Sequence, residues 1–433
     1  MGQKTEERNL ELLERYFEKG CKSGEQQRIG VELEHFVSVK RTGQEVSYYG
    51  EDGVGALLKE WEEHFPVKYR EKEALLGLSC QEYSLTLEPA AQLEISIAPQ
   101  RELKSIYEIY RAFCHMAAPS LERRGYELVT RGYRTAAKAD TLAMIPKQRY
   151  EWMDRYFQST GIAGRMMMRG TASAQVSIDY RNEQDFIRKC RVLSTVMPVL
   201  KLITDNTPAV EGKEWKNYLA RTWIWNHVDA GRCGMLPGVF ETDFGFRKLA
   251  VHLWKNLEPV FLPGNTGAIP TGRRKVRELW EKRLLSSQDI EHIISMTFPD
   301  IRVKQYLELR GADSMPIPFV MGYAALVRGL TQQEQVMEEI LERYPADAQM
   351  IRAAENSLMQ KGFEGEICGV SAWIFAERLL QMAEAGLCSE ERGYLAPVRE
   401  LTERKMTVKE WEKNRKPDTG RKGAFTYEYE GNP

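Results

Sequence analysis

The chain has 433 residues, enough for two average domains or one large enzyme domain. Lys plus Arg number 61 against 62 Asp plus Glu, so there is no global reason to expect nucleic acid or an anionic membrane as partner. The composition, 42% hydrophobic and 28% charged, is that of a soluble globular protein, and no apolar run approaches a membrane span.

The start, residues 1–7, is polar and lacks an apolar signal region, so the cytoplasm is the expected compartment. Seven cysteines, at 21, 80, 114, 190, 233, 368 and 388, show neither a Cys-x-x-Cys nor a zinc-type cluster and read as free thiols. Residues 5–20 have the apolar spacing of an amphipathic helix, with Gly20 as its stop. Residues 29–40 then read as a strand. Glu32 and Glu34 point to one face of it, and Val31 and Leu33 to the other. Two aligned carboxylates repel unless something positive sits between them, and Mg²⁺ is the hard, oxygen-seeking candidate. The same octapeptide also fits the wet face of an antiparallel sheet. Residues 45–49 are an expected partner strand. The glycine-rich turn at 50–55 opens a helix over 56–64 and matches neither a phosphate-binding loop nor a dinucleotide fingerprint.

Between 83 and 99 two short strands flank a Pro89-Ala90-Ala91 bend. In the second, Gln92, Glu94 and Ser96 share one face, and Leu93, Ile95 and Ile97 the other. Helices are expected over 101–124 and 150–157. Residues 165–180 read as a third strand in which Gln175, Ser177 and Asp179 alternate with Val176, Ile178 and Tyr180. Met166, Met167 and Met168 read as core packing. A buried helix follows over 183–205. Arg221 and Arg232, in an aromatic stretch over 217–232, suit carboxylate or phosphate recognition, or equally surface arginines stacked on tryptophans. Residues 263–272 form a Gly/Pro/Thr loop, expected to be mobile near a site. In a fourth strand, 306–313, Tyr306, Glu308 and Arg310 share a face. The pattern is helical over 317–411, and 412–433 is a polar, basic tail of solvated type. With no repeat and no long linker, 1–433 reads as a single catalytic unit: a sheet-bearing core at 29–313 and a helical C-terminal part at 317–411.

Four strands therefore share one design, a polar face over an aliphatic back. If they join one sheet, its front collects Glu32, Glu34, Gln92, Glu94, Gln175, Glu308 and Arg310. Nothing here resembles the local signature of a serine or cysteine nucleophile, and glycoside hydrolysis needs only two carboxylates. Several acids with arginines fit Mg²⁺-nucleotide chemistry, in which metals bridge phosphates and arginines neutralise developing charge.

Gly30-Val31-Glu32-Leu33-Glu34, Gln92 through Pro99, Met167 through Asp179, Arg221 through Arg232, and Phe298-Pro299-Asp300 with Tyr306 through Asp313 occur in the order seen in glutamate–cysteine ligases. The sequence most resembles the type shared by plants and many bacteria. The resemblance implies an α+β fold, a curved antiparallel sheet forming a funnel flanked by helices, related to glutamine synthetase. It implies that ATP phosphorylates the γ-carboxylate of L-glutamate and that the amine of L-cysteine displaces the phosphate. By similarity Glu32, Glu34, Glu94 and Glu308 would hold Mg²⁺, with Glu88 and Gln175 in support. Arg221 and Arg232 would bind substrate carboxylate or phosphate, with Gln175 also at the substrate. Arg310 would face the transferred phosphate, with Glu308 beside it at the nucleotide. A monomer or homodimer without nucleic-acid or membrane partners is expected. Two departures stand out. Ala90-Ala91 replaces the family's usual Gly-Gly, and Asp229-Ala230-Gly231-Arg232 lacks the proline common after the aspartate. They bear on the amine, so a ligase of the same fold acting on another amine is the alternative. A catalytically silent binding homologue is a third, and it would be expected to lose metal carboxylates that this chain keeps.

Overall fold

Segments that alternate aliphatic and polar residues at period two pair into one antiparallel sheet in the computed structural model, which describes residues 2–134, 136–264 and 267–414. Its strands are β1 (Ile29–Val39), β2 (Val67–Glu71), β3 (Ala74–Ser79), β4 (Tyr83–Leu87), β5 (Leu93–Gln100), β6 (Tyr126–Val129), β7 (Ser173–Ile178), β8 (Ile301–Val303) and β9 (Leu307–Asp313). Their order is β8-β9-β7-β1-β5-β4-β3-β2, and β6 pairs with the far end of β1. The sheet is open, with β8 and β2 as its edges.

The register decides what meets on the front. Glu34 lies opposite Glu94, Glu32 opposite both Ser96 and Gln175, and Glu308 opposite Ser177. The back carries Val31, Leu33, Ile95, Val176 and Leu309, all buried. Helices Leu103–Arg124, Glu183–Ile203 and Ile317–Gln332 pack against the sheet. Burying each such side chain contributes about 1.5–3 kcal/mol. A one-residue slip would exchange these aliphatics for carboxylates, so the register is strongly fixed. A continuous hydrophobic core runs from Leu10 to Val408.

One irregularity matters. Leu309 pairs with Val176, but the next pair is Ala312 with Ala174, so β9 carries one extra residue and Arg310-Gly311 together face Gln175. Beyond this bulge the parity flips, and Asp313 joins Ser173 on the front. A Cβ at Gly311 would lie 2.8 Å from Met197 Sδ, so a larger residue there would have to displace the Met197 side chain on helix 183–203.

Several expectations change. The strand expected over 165–180 begins only at Ser173. Met166–Gly170 coil instead into a single π-type turn that buries Met167 and Met168. The partner strand expected at 45–49 reduces to one bridge, Ser38 with Glu45. Strands β2, β3 and β6 had no place in the sequence reading. The loop expected at 263–272 overlaps a hairpin, Phe261–Gly264 paired with Gly267–Pro270. The expected tail lies outside the described residues from 415 onward, and Val408–Asn414 before it is helical. None of the seven cysteines forms a disulfide. No helix among the described residues is long and apolar enough to cross a membrane.

Candidate active site

A chain of hydrogen bonds runs along the front face from Glu34 to Glu308. Ser173 donates its backbone N–H (2.8 Å) and its hydroxyl (2.9 Å) to the two oxygens of Glu34. Gln175 Nε2 reaches Glu34 Oε1 at 3.4 Å, and Gln175 Oε1 accepts from Arg310 Nη1 at 2.6 Å. Arg310 Nη1 also donates to Glu308 Oε2 at 3.0 Å. Glu308 is fully buried and accepts from Arg302 Nε (2.7 Å) and Lys304 Nζ (2.8 Å) as well. The short hairpin places Arg302 opposite Glu308.

Charge is distributed unevenly along this line. Burial alone would raise the Glu308 carboxyl, but Arg302, Arg310 and Lys304 outweigh it and hold the group far below its usual range. At the other end the acids repel one another. Burial, reinforced by Glu88, pushes Glu34 up to about 7. Burial, with Glu32, Glu88 and Glu34 adding to it, raises Glu94 well above the ordinary value. Burial followed by Glu308 raises Glu32. Among the described residues Glu94 accepts only from the hydroxyls of Thr86 (2.8 Å) and Ser96 (3.2 Å), and Glu88 only from that of Tyr150 (3.3 Å). Glu32 opens onto a cavity of about 340 Å³ walled by Ser84, Ser96, Ser177 and Tyr306.

Among the described residues no three Asp, Glu, His or Cys side chains stand close enough to grasp a metal ion as placed. The chemistry of the donors nonetheless separates them. Glu32, Glu34, Glu88 and Glu94 form an all-oxygen, under-compensated anionic set, and a hard divalent cation suits such a set. Glu308, also expected to hold the metal, differs in its surroundings, because both its oxygens are paired with cations: Arg302, Lys304 and Arg310.

Arg221 comes from a short helix, Ala220–Asn226, whose entry is strained: Leu219 sits at φ +56°. Asp205 accepts the Leu219 N–H at 3.2 Å and is itself paired with Lys409 at 2.9 Å. This places the Arg221 guanidinium under the bulge, where Nη1 donates to the carbonyls of Arg310 (3.0 Å) and Gly311 (3.3 Å). Its Nε is buried and has no hydrogen-bond partner among the described residues, so the group keeps a donor in reserve. Asp313, which accepts from Asn206 N–H and the Thr207 hydroxyl, and Glu34 supply the opposing charge.

Arg232, expected to bind substrate carboxylate or phosphate, is held by protein partners. Its Nε donates to Asp229 (2.7 Å), Nη1 to the Met296 carbonyl (2.9 Å), and Nη2 to the Tyr156 hydroxyl (2.5 Å) and the Glu258 carbonyl (2.9 Å). Its donors tie four segments together. Gln92 donates to the Thr171 carbonyl at 3.0 Å. Ala91 adopts φ +65°, a conformation that favours glycine, in the turn between β4 and β5.

The face thus gathers Glu32, Glu34, Glu88, Glu94, Gln175, Glu308 and Arg310, with Arg221 beneath. Arg302, Lys304, Ser173, Thr86 and Tyr150 escaped the sequence reading. For Arg302 a signal existed: Ile301-Arg302-Val303 alternates, and a tight return to 307 puts Arg302 across from Glu308.

Residues 28–428 match the model of the family described as Glutamate-cysteine ligase family 2 (GCS2). The chain is similar to the chloroplastic glutamate–cysteine ligase of Brassica juncea, 30% identical over 412 residues, covering 90% of this chain and 76% of that one. It is also 30% identical over 402 residues to the chloroplastic enzyme of Arabidopsis thaliana, covering 90% and 75%. Among solved structures it resembles the Francisella tularensis glutamate–cysteine ligase in complex with AMP, with a TM-score of 0.53 at 12% identity, covering 89% of this chain and 84% of that one. At that identity the likeness concerns the fold, and it is the glutamine synthetase-related α+β ligase fold expected from the sequence.

Proposed function

Because the chain belongs to glutamate–cysteine ligase family 2, we propose that this ligase joins the γ-carboxylate of L-glutamate to the amine of L-cysteine at the expense of ATP, giving γ-glutamylcysteine. The observation that carries the reading is the front face itself. Buried carboxylates short of positive charge at one end are linked through Gln175 to Arg310 and a cationic cluster at the other.

That polarity suits phosphoryl transfer. Glu32, Glu34, Glu94 and Glu88 would hold Mg²⁺, which when bound neutralises phosphate charge. Arg310 is turned toward the same face by Gln175 and Glu308 and would meet the phosphoryl group passing from ATP to the glutamate γ-carboxylate. Arg221, with Nε unpartnered, would take a substrate carboxylate. Amine attack on the acyl phosphate then releases phosphate. No side chain need act as nucleophile, and the residues work by position and charge.

The test is ADP release by the purified chain with ATP, Mg²⁺ and L-glutamate, with and without L-cysteine, the product being identified by mass. Cysteine-dependent ADP with the mass of γ-glutamylcysteine is expected. ADP release that glutamate supports and cysteine does not stimulate would replace cysteine by another amine. No ADP from folded protein would remove the enzymatic reading.

A further inference from the structure

A second cavity, of about 340 Å³, lies beyond the bulge of β9, away from the acid face. Helix 183–203, the end of helix 220–226 and helix Ala348–Lys361 enclose it. None of the residues placed above in the catalytic arrangement lines it. A gap of about 20 Å³ beside Arg221 and Arg310 shares Trp225, Asn226, Gly234 and Asp300 with this cavity and is too small to hold a ligand.

Its chemistry is specific. Its lining includes apolar Met197, Trp225 and Leu236 together with charged Asp300, Glu355 and Arg352. Buried Lys201 bridges Asp300 (2.9 Å) and Glu355 (2.7 Å), and Asn226 donates to the remaining Glu355 oxygen at 2.9 Å. One cation thus serves two carboxylates. The second Asp300 oxygen has no hydrogen bond among the described residues, and its side chain is 20% exposed toward the cavity. Arg352, three residues before Glu355 and on the same helix face, makes no ion pair or hydrogen bond among the described residues. The lining therefore combines a carboxylate oxygen and an exposed guanidinium, neither hydrogen-bonded among the described residues, with apolar side chains.

We propose that this cavity binds a free zwitterionic α-amino acid with an apolar side chain. The ammonium pairs with Asp300, the carboxylate with Arg352, and the side chain lies against Met197, Trp225 and Leu236. The volume is at the small end for ligand pockets, right for one amino acid. Occupancy is positioned to be felt at the catalytic face, because the Arg310 backbone N–H donates to the Asp300 carbonyl at 2.8 Å.

Calorimetric titration of the full chain with L-methionine, without nucleotide or metal, tests this. Saturable binding at one site per chain is expected. N-acetyl-L-methionine and L-methioninamide, each lacking one charge, should bind at least roughly tenfold more weakly, the cost of one charge-assisted hydrogen bond. Arg352→Glu should weaken methionine binding to a similar degree with ligation unchanged in the absence of methionine, while Glu94→Gln should bind it normally. Absence of saturable heat, equal binding of the capped analogues, or loss of binding in Glu94→Gln overturns the inference. A protein that fails to ligate can still bind under these conditions, so this reading and the proposed function fail separately.

Discussion

Arg310 and Gln175 meet across the bulge of β9, Nη1 to Oε1 at 2.6 Å, and through that one bond the cationic end of the front face is joined to the acidic end. Gln175 is the only link between Glu34 and Arg310 among the hydrogen bonds of the described residues. Replacing it by Ala leaves the Arg310 guanidinium hydrogen-bonded only to Glu308 among the described residues. A hydrogen bond to a charged group contributes about 1.5–3 kcal/mol, so kcat should fall roughly 10- to 100-fold. Circular dichroism and unfolding midpoint should stay close to wild type, since the aliphatic back of β7 is untouched. Steady-state kinetics beside a thermal melt checks both halves.

Arg221 and Arg232 should part company when mutated. Arg232→Ala strands Asp229 and frees two carbonyls, and removing one partner of a buried pair costs about 3–5 kcal/mol. Urea unfolding should show that loss, with KM for glutamate nearly unchanged in protein that still folds. Arg221→Lys keeps the charge but not the fork that holds the bulge carbonyls, so its main effect should be on kcat and KM. A large KM change in Arg232→Ala without loss of stability would restore it to the substrate site.

The pH dependence of stability follows from Glu34. Its carboxyl is raised from 4.5 to about 7, so between those values the folded chain holds a proton that the unfolded chain has released. This contribution therefore falls as pH rises through that window. Glu308 acts oppositely only at far lower pH, because its stabilisation is complete above the ordinary carboxylate value. Buried His35, lowered to about 4, adds stability as pH rises toward its ordinary 6.5, so wild type alone mixes the two signs. The difference between wild type and Glu34→Gln isolates Glu34: the variant should gain on wild type as pH climbs to neutrality. Added Mg²⁺ should reduce that gain. Chemical unfolding across the window measures it.

What was legible in the sequence was local. Period-two alternation is written into neighbouring residues, so Glu32 with Glu34, Gln92 with Glu94, and Glu308 with Arg310 could each be assigned to a common face before any pairing was known. The bulge at Arg310-Gly311 was not legible, because it shows only in the pairing of β9 with the distant β7. With it went the flip that brings Asp313 to the front. The clamp around Arg232 was hidden for the same reason: Tyr156, Glu258 and Met296 are far away in the chain. The saturation of Glu308 required knowing that β8 returns against β9.

Ala91 gives a prediction on stability alone. At φ +65° a Cβ costs about 1–2 kcal/mol, partly offset by the greater unfolded-state freedom of glycine. Ala91→Gly should therefore raise the unfolding free energy by up to about 1 kcal/mol. A measurable loss in denaturant titration would mean that the turn tolerates alanine without strain.

The account is tested most directly by the fate of one oxygen atom. L-glutamate labelled with oxygen-18 in its γ-carboxylate is incubated with the enzyme, ATP, Mg²⁺ and L-cysteine, and the released inorganic phosphate is analysed by mass. Formation of a γ-glutamyl phosphate on the front face predicts one labelled oxygen in each phosphate released with γ-glutamylcysteine. Ligation that leaves the phosphate unlabelled would contradict it.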